Sequence, residues 1–230
     1  MRRRRGVVVL LGAVLVLTLA GVLAIELWLP GRRPALLAGE TYGVDVSAHQ
    51  GTIDWPAVAA DGVSAAYLKA TEGATFRDPA FARNWQQARA AGLEVGAYHF
   101  FTLCRGGAEQ AVNLLGALDG VEGRRDTRSL PVVVDLELSG NCSARPPRAT
   151  VQRELDAFVD AVEKGTGRPV RYYVLNSWDA RYPPNRDRPR WVRSIVVRPP
   201  GAWVWWQASN RARVDGVDGP VDLNVVRPTR

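Results

Sequence analysis

Five strand-like apolar runs alternate with helical patterns between Tyr42 and Leu175, the arrangement that a parallel sheet wrapped in helices requires. The runs predict strands at Tyr42 to Val46, Ala65 to Lys69, Leu93 to Phe101, Leu130 to Leu138 and Val170 to Leu175. Helices are predicted near Trp55 to Ala60, from Pro79 to Ala91, near Ala108 to Leu118 and from Val151 to Lys164. Asp78 is placed to cap the second of these, with Pro79 at its first position and Gly92 as its stop, and Gly165 is expected to end the last. Past Leu175 the alternation fails. Trp191 to Val197, Trp203 to Ala208 and Val221 to Val226 read as strands joined by Pro-, Arg- and Gly-rich connections. Five β/α units followed by three strands predict an α/β fold of a modified TIM-like barrel, (β/α)5(β)3.

The N-terminal segment is a different object. Arg2, Arg3, Arg4 and Arg5 precede a 23-residue run, Val7 to Leu29, in which Glu26 is the only charge. A helix needs roughly 20 such residues to cross a hydrocarbon core. The arginines predict a cytoplasmic start and an exported remainder. The expected organisation is therefore an N-terminal transmembrane helix or signal segment at 1–30, a linker at 31–40 and one catalytic domain at 41–230. A cleaved signal peptide is the alternative. It would make the domain secreted instead of a single-pass membrane protein with its domain on the outer, periplasmic or extracellular side. The formal charge of +7 is mostly a property of this segment. Residues 1–33 hold six of the 30 basic residues and one of the 23 acidic ones, leaving 24 against 22, too even a balance to predict nucleic-acid binding.

The strand Leu130 to Leu138 carries Asp135 and Glu137, two residues apart. Alternate side chains of a strand share a face, so both acids project the same way with Cα atoms about 7 Å apart. Like-charge repulsion and partial desolvation then oppose the second ionisation and leave one carboxyl protonated near neutral pH, which is how a general acid is made. The other strand ends are polar as well: Asp45 with Ser47 and His49, Lys69 with Glu72, Tyr98 with His99, Asn176 with Trp178, Gln207 with Ser209, and Asp222 with Asn224. In a barrel of parallel strands, ligands bind where such ends converge.

Cys104 and Cys142, the only cysteines, each follow a predicted strand by a few residues. In an exported chain, with those strands adjacent, a disulfide is expected. Two histidines and no ligand-like cysteine spacing argue against a metal centre, and no cofactor is expected. Ser47 and His49 lack the Gly-x-Ser-x-Gly context of a serine hydrolase.

Several segments together carry a family resemblance: Gly43 to Gly51 with Asp54-Trp55, Lys69-Ala70-Thr71-Glu72-Gly73, Gly96 to Phe100, Pro131 to Glu137, Trp206-Gln207, and Val221 to Asn224. In this order the sequence resembles the glycoside hydrolase family 25 lysozymes, muramidases that cleave between N-acetylmuramic acid and N-acetylglucosamine. The resemblance implies a flattened (β/α)5(β)3 barrel acting on peptidoglycan. It implies Glu137 as general acid/base, Asp135 as its partner, and Asp45 and Asp222 completing an acidic cluster. Tyr98, Gln207, Trp206, Tyr172, Glu72 and His49 are the expected substrate contacts. Two departures stand out, Ala208 where an aromatic often follows Trp-Gln and the segment Trp191 to Ile195. A silent membrane-tethered glycan-binding domain and a chitinase-like glycosidase are the rival functions. Oligomeric state is not fixed by the sequence.

Overall fold

The computed structural model describes residues 11–23 and 33–228, apart from residues 122, 124, 125, 127 and 196. Residues 11–23 are helical (α1), 13 residues that span about 20 Å. Among the described residues no helix is long and apolar enough to cross a membrane. The predicted span also takes in residues 7–10 and 24–29, which lie outside the described residues.

The sheet closes on itself. β1 (Thr41–Val46), β2 (Val63–Glu72), β4 (Glu94–Phe100), β5 (Val133–Leu136), β6 (Arg171–Val174), β7 (Arg190–Arg193), β8 (Trp205–Ala212) and β9 (Val221–Val226) form a ring in that order, and β9 pairs back onto β1. Pairing is parallel from β1 through β8, while β9 is antiparallel to both of its neighbours. A two-residue strand, β3 (Phe76–Arg77), adds to β2 outside the ring. Five helices follow the first five ring strands: α2 (Trp55–Ala60), α3 (Phe81–Ala90), α4 (Gly107–Asp119), α5 (Arg148–Thr166) and α6 (Asn176–Arg181). The predicted count of five β/α units and three further strands therefore holds.

Strand alternation divides most of the apolar residues into two cores, with a smaller third cluster around Trp203 and Trp206. Outward residues such as Val44, Leu68, Val134, Leu136 and Leu223 pack under α2 to α6 with Trp55, Phe158 and Trp178. Inward residues Ala65, Tyr67, Val133, Tyr173, Trp191 and Trp205 fill the barrel. The rings of Tyr67, Trp191 and Trp205 lie within 5.4 Å of one another, centroid to centroid, and form a solid floor. Two inward glycines make room for them. A Cβ on Gly43 would meet the Trp205 ring at 2.7 Å, and one on Gly96 would meet the Tyr67 ring at 2.4 Å.

Several element boundaries differ from expectation for local reasons. The acidic strand is four residues long, so Glu137 lies just past its end. Helix α3 starts at Phe81 rather than Pro79. Asp78 accepts the Ala80 and Ala48 N–H groups at 2.8 and 2.9 Å, which ties the loop before α3 to the turn after β1. Helix α5 runs through Gly165 to a left-handed Gly167, whose N–H bonds Glu163 O. Residues 33–40, expected as a linker, are pinned to the barrel. Arg33 pairs with Asp61, Tyr42 Oη donates to Pro34 O at 2.7 Å, and Glu40 pairs with Arg198 and Arg227.

The loops after β4 and β5 are joined by the Cys104–Cys142 disulfide, with Cα atoms 6.3 Å apart. It sits at the pole where Asp135 and Glu137 emerge. Asn141, beside Cys142, donates from Nδ2 to Phe101 O and Glu137 O and accepts Leu103 N–H through Oδ1, so the same loop pair is also stitched by one amide side chain. Closing 38 residues of sequence constrains the unfolded chain by about 4 kcal/mol in a chain-entropy estimate. The Cys104→Ser, Cys142→Ser double variant is expected to lose about 2–4 kcal/mol of unfolding free energy in urea titration while keeping its far-ultraviolet dichroism. An unchanged midpoint would show that the bridge does not constrain the chain.

Candidate active site

The mouth of the barrel is lined by Asp45, Tyr98, Asp135, Glu137, Tyr173, Trp191, Gln207 and Asp222 around a cleft of about 110 Å³. These residues share one phase of their strands. Each of β2, β4, β5 and β6 repeats its inward position two residues along the chain, and the last inward position reaches the mouth. Asp222 reaches it by a different route. Because β9 is antiparallel, its first residues, not its last, lie at the open end, and Asp222 faces Asp45 directly across the β1–β9 ladder.

Two acid pairs result, on opposite walls. Asp135 and Glu137 are hydrogen-bonded to each other on the β5 wall, and Asp45 and Asp222 are bonded to each other on the β1–β9 wall, halfway round the ring. Burial raises Asp135 well above the ordinary carboxylate range, and the nearby Glu137 charge raises it further. Glu137 is also raised, chiefly by burial, although Arg193 and the bond from Asp135 oppose the shift. Asp45 is raised well above the usual range by burial and by Asp222, and Asp222 is raised by burial. The direction common to all four is proton retention: each holds its proton to a higher pH than a lone carboxyl would.

A hydrogen-bond belt fixes these groups. Trp191 Nε1 donates to Asn224 Oδ1 at 2.8 Å, and Asn224 Nδ2 donates to Asp45 Oδ1 at 2.7 Å. Asp222 is bonded to Gln207, whose Oε1 accepts from Tyr173 Oη at 2.7 Å. Asp135 Oδ1 is buried and has no partner among the described residues. Such an atom carries a desolvation cost that a bound donor would relieve.

The expected contact residues divide by strand phase. Tyr98 and Gln207 line the cleft. Tyr172 does not: it is fully buried in the outer core, and its neighbour Tyr173 takes the inward position. Trp206 likewise faces outward, where it packs with Trp203 and Val225 and donates from Nε1 to Ser194 O at 2.7 Å. The inward tryptophan at the mouth is Trp191, on the strand whose ending departs from the family pattern. Glu72 lies at the end of β2, paired with Lys69 at 2.7 Å, and Lys69 Nζ sits 5.3 Å from the Phe100 ring centre. This pair borders the site, because both charges act on Asp135. His49 is exposed in the short 3-10 turn Ala48–Gln50, bonded to Ser47 Oγ at 2.9 Å. Ser47 caps that turn, so the two residues have a local structural task. Tyr173 and Trp191, which sequence reasoning passed over, take their inward places from the strand register, Tyr173 beside Asp135 and Trp191 beside Trp205.

His99 is separate from the cleft. It is completely buried on the outer face of β4 and stacked on Phe158. Gln110 Oε1 can only accept, so the His99 Nε2–H donates to it at 3.1 Å and Nδ1 accepts from Thr71 Oγ1 at 2.7 Å. Burial pushes the ring down to about 3 and keeps it neutral. Among the described residues no cluster of His, Cys, Asp and Glu is arranged to hold a metal ion.

A closed α/β barrel with paired acids at the C-terminal mouth of its parallel strands has the construction of a glycosidase, which needs a protonated and an ionised carboxyl group at one sugar. The sequence profile of glycosyl hydrolases family 25 matches residues 44–217. The protein belongs to this family and is a glycoside hydrolase. It is 38% identical over 202 residues to YegX, an uncharacterized protein of Escherichia coli K12, covering 82% of this chain and 70% of that one. Lysozyme M1 of Streptomyces globisporus is 35% identical over 196 residues, 79% of this chain and 66% of the relative. The crystal structure of a Streptomyces coelicolor lysozyme superposes with a TM-score of 0.69 at 32% identity, covering 82% of this chain and 93% of that one.

The raised acids make a stability prediction with a definite sign. A carboxyl whose folded value lies above its unfolded one costs nothing at low pH, where both states hold the proton. The cost appears as pH rises past the unfolded value and is complete above the folded one. The Asp135→Asn variant should therefore unfold at a higher temperature than the wild type at pH 7.5, with the gap closing by pH 3.5. His99 titrates in both proteins and cancels from the difference. A gap that is absent at pH 7.5, or that widens in acid, would contradict the assigned direction.

Proposed function

We propose that this protein is a peptidoglycan muramidase that hydrolyses the β-1,4 bond between N-acetylmuramic acid and N-acetylglucosamine, with Glu137 as the general acid/base. The observation that carries the assignment of roles is the hydrogen-bonded Asp135–Glu137 pair at the cleft, both members raised by burial. In the free enzyme the more buried Asp135 donates to Glu137. An N-acetyl sugar brings an amide N–H, the donor that the unpaired Asp135 oxygen lacks. As that N–H bonds Asp135, the anion there is stabilised and the shared proton passes to Glu137. Glu137 then protonates the leaving glycosidic oxygen as the C–O bond breaks. The acetamido oxygen, polarised through its N–H by Asp135, attacks the anomeric carbon from the opposite face. Water attack on the resulting oxazolinium ion, with Glu137 taking the water's proton, restores the sugar with retained configuration and the starting protonation.

Asp45 and Asp222, across the cleft, act on the same sugar from the other wall. Their shared proton keeps that wall from carrying two full negative charges, which would oppose ionisation of Asp135. Tyr98, Tyr173, Gln207 and Trp191 give the cleft its aromatic and hydrogen-bonding surface. Glu72 acts through Lys69, and His49 is a rim residue.

The domain layout follows from the same reading. Residues 1–30 serve as a membrane anchor that holds the catalytic domain, 41–230, on the outer side. Support comes from the four arginines before the apolar run and from α1, whose apolar side chains are unpacked, with Leu17 72% exposed. Arg33 and Glu40 hold the end of the expected linker against the catalytic domain.

Replacing Glu137 by Gln should lower turnover on purified sacculi by about 10²–10⁴-fold, the usual weight of a positioned proton donor, without shifting the melting temperature downward. Proton NMR of the first-formed reducing sugar should show the β-anomer. An initial α-anomer would replace this mechanism with an inverting one based on Asp45 or Asp222, and full turnover in the variant would remove Glu137 from the chemistry.

A further inference from the structure

The barrel has a second opening, at the pole opposite the cleft, where the parallel strands begin. A pocket of about 360 Å³ there is lined by Glu94, Arg128, Ser129, Leu130, Pro131, Arg168, Pro169, Arg171 and Pro189. Arg171 is the first residue of β6 and, two residues before Tyr173, it points into the barrel beneath the aromatic floor. It is only 5% exposed. Among the described residues its one side-chain hydrogen bond runs from a terminal nitrogen to Tyr67 Oη at 3.2 Å, and the Tyr67 hydroxyl in turn donates to Pro131 O at 2.8 Å. No carboxylate pairs with Arg171 among the described residues. Among the described residues its other guanidinium nitrogens have no hydrogen-bond partner, and Arg171 lines the pocket.

An unpaired, buried guanidinium costs several kcal/mol of desolvation and is ordinarily matched by a carboxylate. Here the neighbour is instead a second cation. Arg168 lies close enough for the Arg171 charge to lower its affinity for a proton, second to burial, and its Nη1 is turned to Ser129 O. Arg128 stands at the rim, with most of its side chain in solvent. Glu94 is the one acid on the wall. It is exposed, and among the described residues it forms no ion pair with either arginine. The remaining lining is apolar, from Leu130, Pro131, Pro169 and Pro189.

We infer that this basal pocket is an anion-binding site, built for a phosphate group held by Arg171 and Arg168. Two planar forks converging on one cavity match the oxygens of a tetrahedral oxyanion, and the proline-lined walls accept the carbon chain to which a phosphate ester is attached. Free phosphate and the phosphodiester of a polyol chain share this chemistry. The site lies under the Tyr67, Trp191 and Trp205 floor and shares no lining residue with the cleft, so binding there attaches the enzyme without occupying its cleft.

The test is phosphorus-31 NMR of the full chain in detergent at constant ionic strength, titrated with inorganic phosphate in one arm and diglycerol phosphate in the other. Saturable broadening is expected. Arg171→Met, which keeps the packed stem, and Arg168→Gln, a half-buried position whose loss the fold tolerates more easily, should each weaken binding by at least tenfold. Glu94→Gln should tighten it severalfold. Sacculus hydrolysis should be unchanged in all three variants. Tighter binding of the diester identifies a polymer-borne phosphate, and tighter binding of inorganic phosphate identifies the free ion. Absence of saturable binding in the wild type, or equal binding in the Arg168→Gln variant, would overturn the inference. So would weaker binding in the Glu94→Gln variant, which would make Glu94 part of the site instead of its competitor.

Discussion

Side chains two residues apart on a strand face the same way, and eight strands closed into a ring turn that rule into layers. Arg171, Tyr173 and their counterparts on the other strands mark successive levels from the basal pole to the catalytic mouth. At the middle level Tyr67, Trp191 and Trp205 exclude water and leave no hole, because Gly43 and Gly96 give up their side-chain volume to the rings. At the level above, the same phase delivers Asp45, Tyr98, Asp135, Gln207 and Asp222. The cleft is shallow because its floor is solid, and its acids are raised because that floor is apolar.

The arrangement sets stability against function. Four acids facing one another over an aromatic layer lower the stability of the folded state as pH rises, and the internal hydrogen bonds, the Asn224 and Gln207 contacts and the nearby Arg193 and Lys69 charges limit that loss. The surrounding structure supplies the compensation: an outer core under five helices, a disulfide and the Asn141 amide bonds at the loops that carry the catalytic wall. His99 shows the opposite solution on the other face of the same strand. It is kept neutral by burial, is held by hydrogen bonds to Gln110 and Thr71, and is spent entirely on packing. Adjacent residues, Tyr98 and His99, thus belong to chemistry and to structure, respectively, by strand phase alone.

The ring of eight was legible because β-branched runs, turn residues and helical periodicity agree along most of the chain. The acid pair was legible because Asp135 and Glu137 are two apart. The misplaced residues have a common physical origin. Tyr172 and Trp206 are each one residue out of phase with an inward neighbour, Tyr173 and Gln207, and an aromatic residue at a strand end does not announce its face. Their faces follow from the register with the neighbouring strands, Asp135 beside Tyr173 and Arg193 beside Gln207, which only the folded sheet sets. Helix α6 is six residues long, too short for an amphipathic period to show, and β3 is two residues with no pattern at all. Asp78 has the composition of a helix cap, yet its carboxylate serves a tertiary contact to Ala48 that only the folded chain reveals.

The central claim is that Asp135 and Glu137 titrate as one unit holding a single proton at neutral pH. Carbon-13 NMR of side-chain carboxyls, assigned with Asp135→Asn and Glu137→Gln variants, tests it directly. The account predicts that both carbons shift together through two shared midpoints, the upper one well above the ordinary carboxylate range, and that either substitution collapses the pattern to a single step. Two independent midpoints near about 4, the values of isolated carboxyls, would contradict it.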